Sequence, residues 1–178
     1  MEEISAKAHG ENQDDEKGKP KISIRPFELS DVDDFMVCGW ETYTSKEDAL
    51  NYMKDCIISD PWCKAICVKN RPIGTISVVP NRGKNRCRGE VSYVLASEHR
   101  GKGIATLAVK MVLDSIFKDW PHLERLEGLV DAENLGSQRV LEKAGFKKEG
   151  VLRKYYIYEG RTRDMVMYSF LSTDQKLG

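Results

Sequence analysis

Apolar and polar positions alternate over Ile22-Ser23-Ile24-Arg25, the period of a half-buried strand. Ser30 then stands before Asp31, Asp33 and Asp34, a polar cap with acids in the first turn, which predicts a helix start. Ser45 with Asp48 resembles a capping box and predicts a second helix running to about Ile58. Cys63 to Val68 and Ile73 to Val79 are β-branched runs joined by the turn Asn70-Arg71-Pro72. The polar loop Asn81 to Arg86 leads into a strand over Gly89 to Leu95. Beyond it, Ile104, Leu107, Ala108, Met111, Val112 and Ser115 recur at helical spacing on one face. Leu126 to Val130 reads as a strand. Ser137, Val140, Leu141 and Ala144 mark a further helix, with Gly145 as its C-cap. Val151 to Tyr158 and Met165 to Leu171 read as strands around Gly160. Strands and helices intermix without repeats or an internal linker. The pattern predicts one α+β domain over residues 21–174, a mixed, mostly antiparallel sheet flanked by helices.

Composition changes this picture at the N-terminus. Residues 1–20 are almost devoid of apolar side chains, so burial cannot offset ordering entropy, and a disordered acidic tail is expected. That tail holds six acids (Glu2, Glu3, Glu11, Asp14, Asp15, Glu16) and three lysines, net −3. The whole chain balances 28 basic against 28 acidic residues, so the remaining body carries about +3, the difference 0 − (−3). A neutral total argues against a generic polyanion binder, and no direct nucleic-acid contact is expected. No apolar run is long enough to span a membrane. The first residues lack the basic start and apolar stretch of a secretory signal, and their acids argue against a transit peptide. Five unevenly spaced cysteines make a poor disulfide framework and fit a reducing, cytoplasmic compartment, with the nucleus equally open. Cys63 and Cys67 share one strand face. No second pair with ligand spacing follows, so they read as buried thiols and no metal is expected.

Two segments carry candidate chemistry. Val91 to Ala105 is a strand, a short loop with Gly101 and Gly103, then a helix. A helix N-terminus presents unpaired N–H groups and partial positive charge, and glycines admit a ligand close to the backbone. Arg100 and Lys102 add cations. The loop reads either as a diphosphate cradle or as an ordinary strand-to-helix turn with solvated cations. Neither the nucleoside-triphosphate loop G-x-x-x-x-G-K-[ST] nor a dinucleotide fingerprint is present. The second segment is Asp131 to Phe146. There Asn134 can cap a helix or bond a ligand amide, and Ser137 sits one turn further on.

Together these segments resemble the GNAT superfamily of N-acetyltransferases. Arg100-Gly101-Lys102-Gly103-Ile104-Ala105 matches its [QR]-x-x-G-x-[GA] acetyl-CoA signature at every fixed position. Asn134-x-x-Ser137 leading to Leu141-Glu142-Lys143-Ala144-Gly145-Phe146 is similar to the branch of ribosomal-protein-alanine acetyltransferases. Ile24-Arg25-Pro26-Phe27 and Glu149-Gly150-Val151-Leu152-Arg153 fit that branch too. The likeness covers residues 22–171.

The resemblance implies a sheet splayed in a V between its fourth and fifth strands, with acetyl-CoA in the gap. The strand end Val94-Leu95 would pair with the pantetheine through its backbone and supply an oxyanion donor. The amides of Arg100, Gly101, Lys102, Gly103, Ile104 and Ala105 would hold the pyrophosphate, and Asn134 the pantetheine arm. The implied chemistry is direct acetyl transfer to a neutral primary amine, without a cysteine nucleophile. Ser137 matches the position where this branch carries a serine that can donate to the coenzyme A sulfur, or else it is a structural helix serine; the Val140 to Phe146 stretch lacks the tyrosine many other relatives use. Glu90 would take the amine proton, or else form a structural ion pair. Tyr156, with Tyr155 beside it, lies on the strand that lines the acceptor side.

The acceptor sets how much base is needed. An α-amine of pKa about 8 is roughly one-fifth neutral near pH 7.4, whereas a lysine amine costs about 4 kcal/mol to deprotonate there. A protein N-terminal α-amine is therefore the easier acceptor. Two alternatives stand beside it: a small-molecule acetyltransferase for a polyamine, amino sugar or drug, and a non-catalytic acyl-CoA-binding module. Arg82, Lys84, Arg86 and Arg88, and Lys147, Lys148, Arg153, Lys154, Arg161 and Arg163, would draw an acidic peptide if they flanked the mouth. A monomer or homodimer is expected.

Overall fold

The structure, a computed structural model, describes residues 21–38, 43–60 and 62–174. The expected acidic tail lies outside these residues. Seven strands form one sheet: β1 (Ile22–Pro26), β2 (Cys63–Val68), β3 (Arg71–Pro80), β4 (Arg88–Leu95), β5 (Arg125–Asp131), β6 (Lys147–Tyr158) and β7 (Arg161–Leu171). Their order is β1-β2-β3-β4-β5-β7-β6. Every neighbouring pair is antiparallel except β4 and β5, which run parallel. The helices are α1 (Val32–Cys38), α2 (Lys46–Tyr52), α3 (Ile104–Asp119) and α4 (Leu135–Ala144). Among the described residues no helix is long and apolar enough to cross a membrane.

Two apolar clusters cover the two faces of the sheet. The larger joins α3 and α4 to Ile76, Val78, Val91, Leu95, Leu126, Val130, Tyr168 and Phe170. The smaller packs Phe27, Phe35, Ala49 and Met53 against Cys63, Ala65 and Cys67 of β2. Burial there raises the Cys63 thiol to about 12, so it stays protonated. The buried stripe of α3 is Ile104, Ala105, Ala108, Val109, Val112, Leu113 and Ile116. It is rotated from the face expected through Leu107, Met111 and Ser115, because α3 wedges between the sheet and α4 and is covered on two sides.

Ser45 caps α2 as expected, its hydroxyl accepting from the Asp48 N–H at 3.1 Å. Ser30 does not cap α1. A 3-10 turn over Leu29–Asp31 precedes that helix, with Glu28 in the capping position. Asp31 is buried rather than displayed to solvent. It accepts from Arg25 Nη1 at 2.7 Å and Nη2 at 2.8 Å, and from the Glu28 N–H at 2.9 Å. Arg25 also donates to Asn70, so this pair fastens β1 and the turn to the β2–β3 hairpin. The Arg25 hydrogen bonds hold the Asp31 carboxyl below its usual pKa. A depressed carboxyl stabilises the fold above its unfolded pKa, and that contribution fades as pH falls through the folded pKa. Asp31→Asn is therefore expected to lower unfolding free energy by roughly 3 kcal/mol near neutral pH. The gap from the parent should close below about pH 4 in urea titrations. An equal gap at both pH values would contradict this.

Candidate active site

β4 and β5 pair at three rungs only: Arg88 with Arg125, Gly89 with Leu126, and Glu90 with Glu127. Past Glu90, β4 stays bound to β3 as far as Leu95, and β5 to β7 as far as Asp131. Their facing edges therefore part, which is the expected V between the fourth and fifth strands. A cavity of about 230 Å³ opens there, lined by Val91, Ser92 and Tyr93 from β4, Gly128 to Asp131 from β5, and Asn134, Ser137 and Leu141. Gly128 makes this geometry possible, since a Cβ on it would lie 2.6 Å from Leu141 Cδ1. A side chain at this position would force the Leu141 methyls aside.

The loop Ala96 to Gly103 leads from the end of β4 into α3. Arg100 Nε donates to the Leu95 carbonyl at 3.0 Å, and the Ala96 N–H donates to Ile73 O. These bonds fix the loop's origin while the outer guanidinium nitrogens stay available. Gly103 caps α3 with φ +77° and offers no side-chain bond to the first turn. The Arg100 amide, expected in the cradle, is instead engaged by Ser97 O at 3.2 Å, because a 3-10 turn closes there. Among the described residues, the amides of Gly101, Lys102, Gly103, Ile104, Ala105 and Thr106 donate to no protein acceptor. No atom would meet a Cβ at Gly101 or Gly103 within 4 Å, so the loop stands clear. An uncapped sixteen-residue helix with six free donors is an anion site awaiting an anion.

The second segment supplies the opposite wall. Asn134 caps α4, its Oδ1 accepting from the Ser137 N–H at 3.0 Å. Its amide NH₂ keeps two donors, so capping and ligand contact are compatible. Ser137 lines the cavity, with its side-chain hydroxyl beside the Tyr93 phenol. Tyr93 spans the opening by donating to Ser137 O at 3.1 Å. Burial raises the Tyr93 phenol to about 12, against the opposing effect of a hydrogen bond from the Ser137 side chain. It remains an uncharged phenol at working pH.

Glu90 stands at the apex of the V. Although the side chain is exposed at one side, partial desolvation first, and the Glu127 carboxylate second, hold its pKa above the ordinary value. It forms no ion pair among the described residues, so the structural pair left open by the sequence is not made. Tyr156 is brought to the far rim, where its hydroxyl donates to Asp131 Oδ2 at 2.8 Å. That bond raises the phenol pKa and occupies its proton. Tyr155 is exposed, pushed outward by a register shift between Leu152 and Tyr156.

The basic residues do not form one ring around this mouth. The Arg82 to Arg86 loop leads into the start of β4, where Cys87 O accepts from the Glu124 and Arg125 amides. Lys147 and Lys148 pair with Ser169 and Tyr168, toward that same end. The splay lies at the other end of β4. Arg153, Lys154, Arg161 and Arg163 lie instead on β6 and β7 at the splay end, and Arg163 pairs there with Glu133. The pattern of charges along a chain cannot tell which end of a strand each loop occupies.

Sequence reasoning also passed over Tyr93, Glu127 and Asp131. Tyr93 shares strand parity with buried Val91, which was a usable signal. Glu127 and Asp131 acquire meaning only through β4 and β6, which the sequence does not place beside them. Among the described residues no group of three or more His, Cys, Asp or Glu side chains is placed to hold a metal.

Comparison with known proteins bears on these features. Residues 21–147 match the acetyltransferase (GNAT) domain family. The probable N-acetyltransferase YjcK of Bacillus subtilis is 40% identical over 107 residues, covering 60% of this chain and 59% of that protein. Spermidine N(1)-acetyltransferase of Escherichia coli is 33% identical over 79 residues, covering 44% of this chain and 42% of that protein. The chain thus spans about half the length of these curated relatives. Among solved structures, ribosomal-protein-S5-alanine acetyltransferase from Vibrio fischeri superimposes with a TM-score of 0.68 at 28% identity, covering 86% of this chain and 94% of that one.

Proposed function

This chain belongs to the acetyltransferase (GNAT) family, and from that premise we propose that it transfers the acetyl group of acetyl-CoA directly to a primary amine. The single observation that carries the reading is the run of six unengaged amides opening α3 beside a parted sheet. These donors, with Arg100 and Lys102, hold the pyrophosphate. The parted edge of β4 toward Val94 and Leu95 and the free amide of Asn134 hold the pantetheine arm. Acetyl-CoA supplies the acetyl group as a thioester.

The chain's own residues then divide the work. Glu90 accepts, through water, the proton the amine loses as its nitrogen bonds to the acetyl carbon. A carboxyl with a raised pKa is the better base for that task. A backbone N–H near Leu95 steadies the charge that gathers on the carbonyl oxygen. The Ser137 hydroxyl, at the cavity wall, donates to the sulfur as the carbon–sulfur bond breaks. Tyr156 is committed to Asp131, so it shapes the rim rather than delivering a proton.

The acceptor is a primary amine, with the N-terminal α-amine of a peptide as first candidate. The Glu90 carboxylate at the apex, unpaired among the described residues, favours a second reading, a small polycationic amine, and the Arg82 to Arg86 loop, at the far end of β4, lends no support to an acidic peptide. Incubation with acetyl-CoA and a panel of α-amino peptides, diamines and amino sugars, followed by release of free thiol, tests both. Turnover with at least one amine is expected. No thiol above background, with coenzyme A bound in calorimetry, would leave only a binding module.

A further inference from the structure

Glu90 and Glu127 oppose each other on the last rung where β4 and β5 remain paired. In a parallel pair such neighbours project from the same face. Their partners differ sharply. Glu127 is 8% exposed. It accepts from Arg88 Nη1 at 3.1 and 3.2 Å and from Arg125 Nε at 2.7 Å. Arg125 in turn grips Glu149, whose carboxylate also accepts from Ser169. Glu90 takes no part in this ladder.

Arg88 lies two residues before Glu90 on one strand, so both side chains leave the same face and the guanidinium has two carboxylates within reach. It goes to the more buried one, where an uncompensated charge would be most costly. We propose that Glu127 is a positioning residue: by engaging Arg88 it withdraws that guanidinium from Glu90, leaving the Glu90 carboxyl free to take the acceptor's proton. The inference rests on Glu90 being the base. Across the strand β3 presents Val79 to Glu90. Among the described residues the charged group acting on Glu90 from a neighbouring element is Glu127, and neither α1 nor α2 supplies another. On its own strand Arg88 is the cation to be diverted.

The sign follows directly. Losing Glu127 removes a negative charge beside Glu90 and frees a positive one, and both changes favour the ionised form of Glu90. In Glu127→Gln, the acid limb of kcat against pH should move down by about one pH unit. The plateau should fall roughly tenfold, because a weaker, ion-paired base accepts the proton less readily. Affinity for acetyl-CoA should stay within about twofold by calorimetry, a readout that a merely structural loss would move.

The limb to follow is the one that Glu90→Gln removes, measured with the best acceptor of the amine panel. If Glu90→Gln keeps the parent limb, the base assignment fails, whatever Glu127 does. If Glu90→Gln removes the limb but Glu127→Gln leaves it in place, this proposal is overturned. Should Glu127→Gln not fold, Arg88→Gln/Glu127→Gln carries the test, since it removes the diverted cation together with its anchor. Its plateau should stay within about threefold of the parent's. A plateau tenfold or more below the parent would refute diversion of Arg88 as the role of Glu127.

Discussion

Gly103→Asp is expected to weaken acetyl-CoA binding about a thousandfold and to leave the fold standing. Gly103 sits at φ +77°, where an ordinary side chain costs about 1–2 kcal/mol, and its Cβ position is open for 4 Å around. The substitution therefore creates no clash, and thermal unfolding should shift by only a few degrees. The effect falls on the ligand. A carboxylate placed about 4 Å from a phosphate near the protein surface meets on the order of 4 kcal/mol of repulsion per unit charge. At 1.4 kcal/mol per factor of ten, affinity should drop about a thousandfold in calorimetry. Gly103→Ala carries the backbone strain without the charge and should stay within about tenfold of the parent. Equal losses in the two variants would show that charge is not what the loop reads. An unchanged Gly103→Asp would place the phosphates elsewhere.

Glu90→Gln is expected to lower kcat by about 10²–10³ while acetyl-CoA binds as before. The loss should grow with the acceptor's pKa. An α-amine near pKa 8 is partly neutral without help, whereas an aminoalkyl group near 10.4 depends on the base. Raising the pH deprotonates the amine in solution and should recover part of the rate. A uniform twofold effect across all acceptors would remove Glu90 from the chemistry. Asp131 is a poor substitute, because the Glu133 N–H and the Tyr156 hydroxyl hold its carboxyl below the usual range.

The legible parts of this molecule were those set by local periodicity. Alternation located β1, β-branched runs located β2 and β3, and the glycines at 101, 103 and 145 marked the two helix boundaries that matter for the site. The parts that stayed hidden depend on partners distant in sequence. β6 begins at Lys147 rather than Val151. Its opening Lys147-Lys148-Glu149 is exposed. An edge strand wet on both faces has no hydrophobic period to read. Asp31 looked like a dipole-stabilising acid of a first turn, yet it is buried against Arg25. A surface acid and a buried partner are spelled with the same residue. Glu90 was placed correctly on its strand, but its freedom from Arg88 is decided by Glu127, on another strand.

The parting of β4 from β5 opens two raw strand borders in the middle of a sheet, not at its rim. Such borders invite a stray chain to zip alongside. Whatever molecule lies in that seam closes it, and saturation at a hundred times its dissociation constant adds about 2.7 kcal/mol to the folded state. A ligand seated in that seam is thereby expected to raise the melting temperature while it covers both borders.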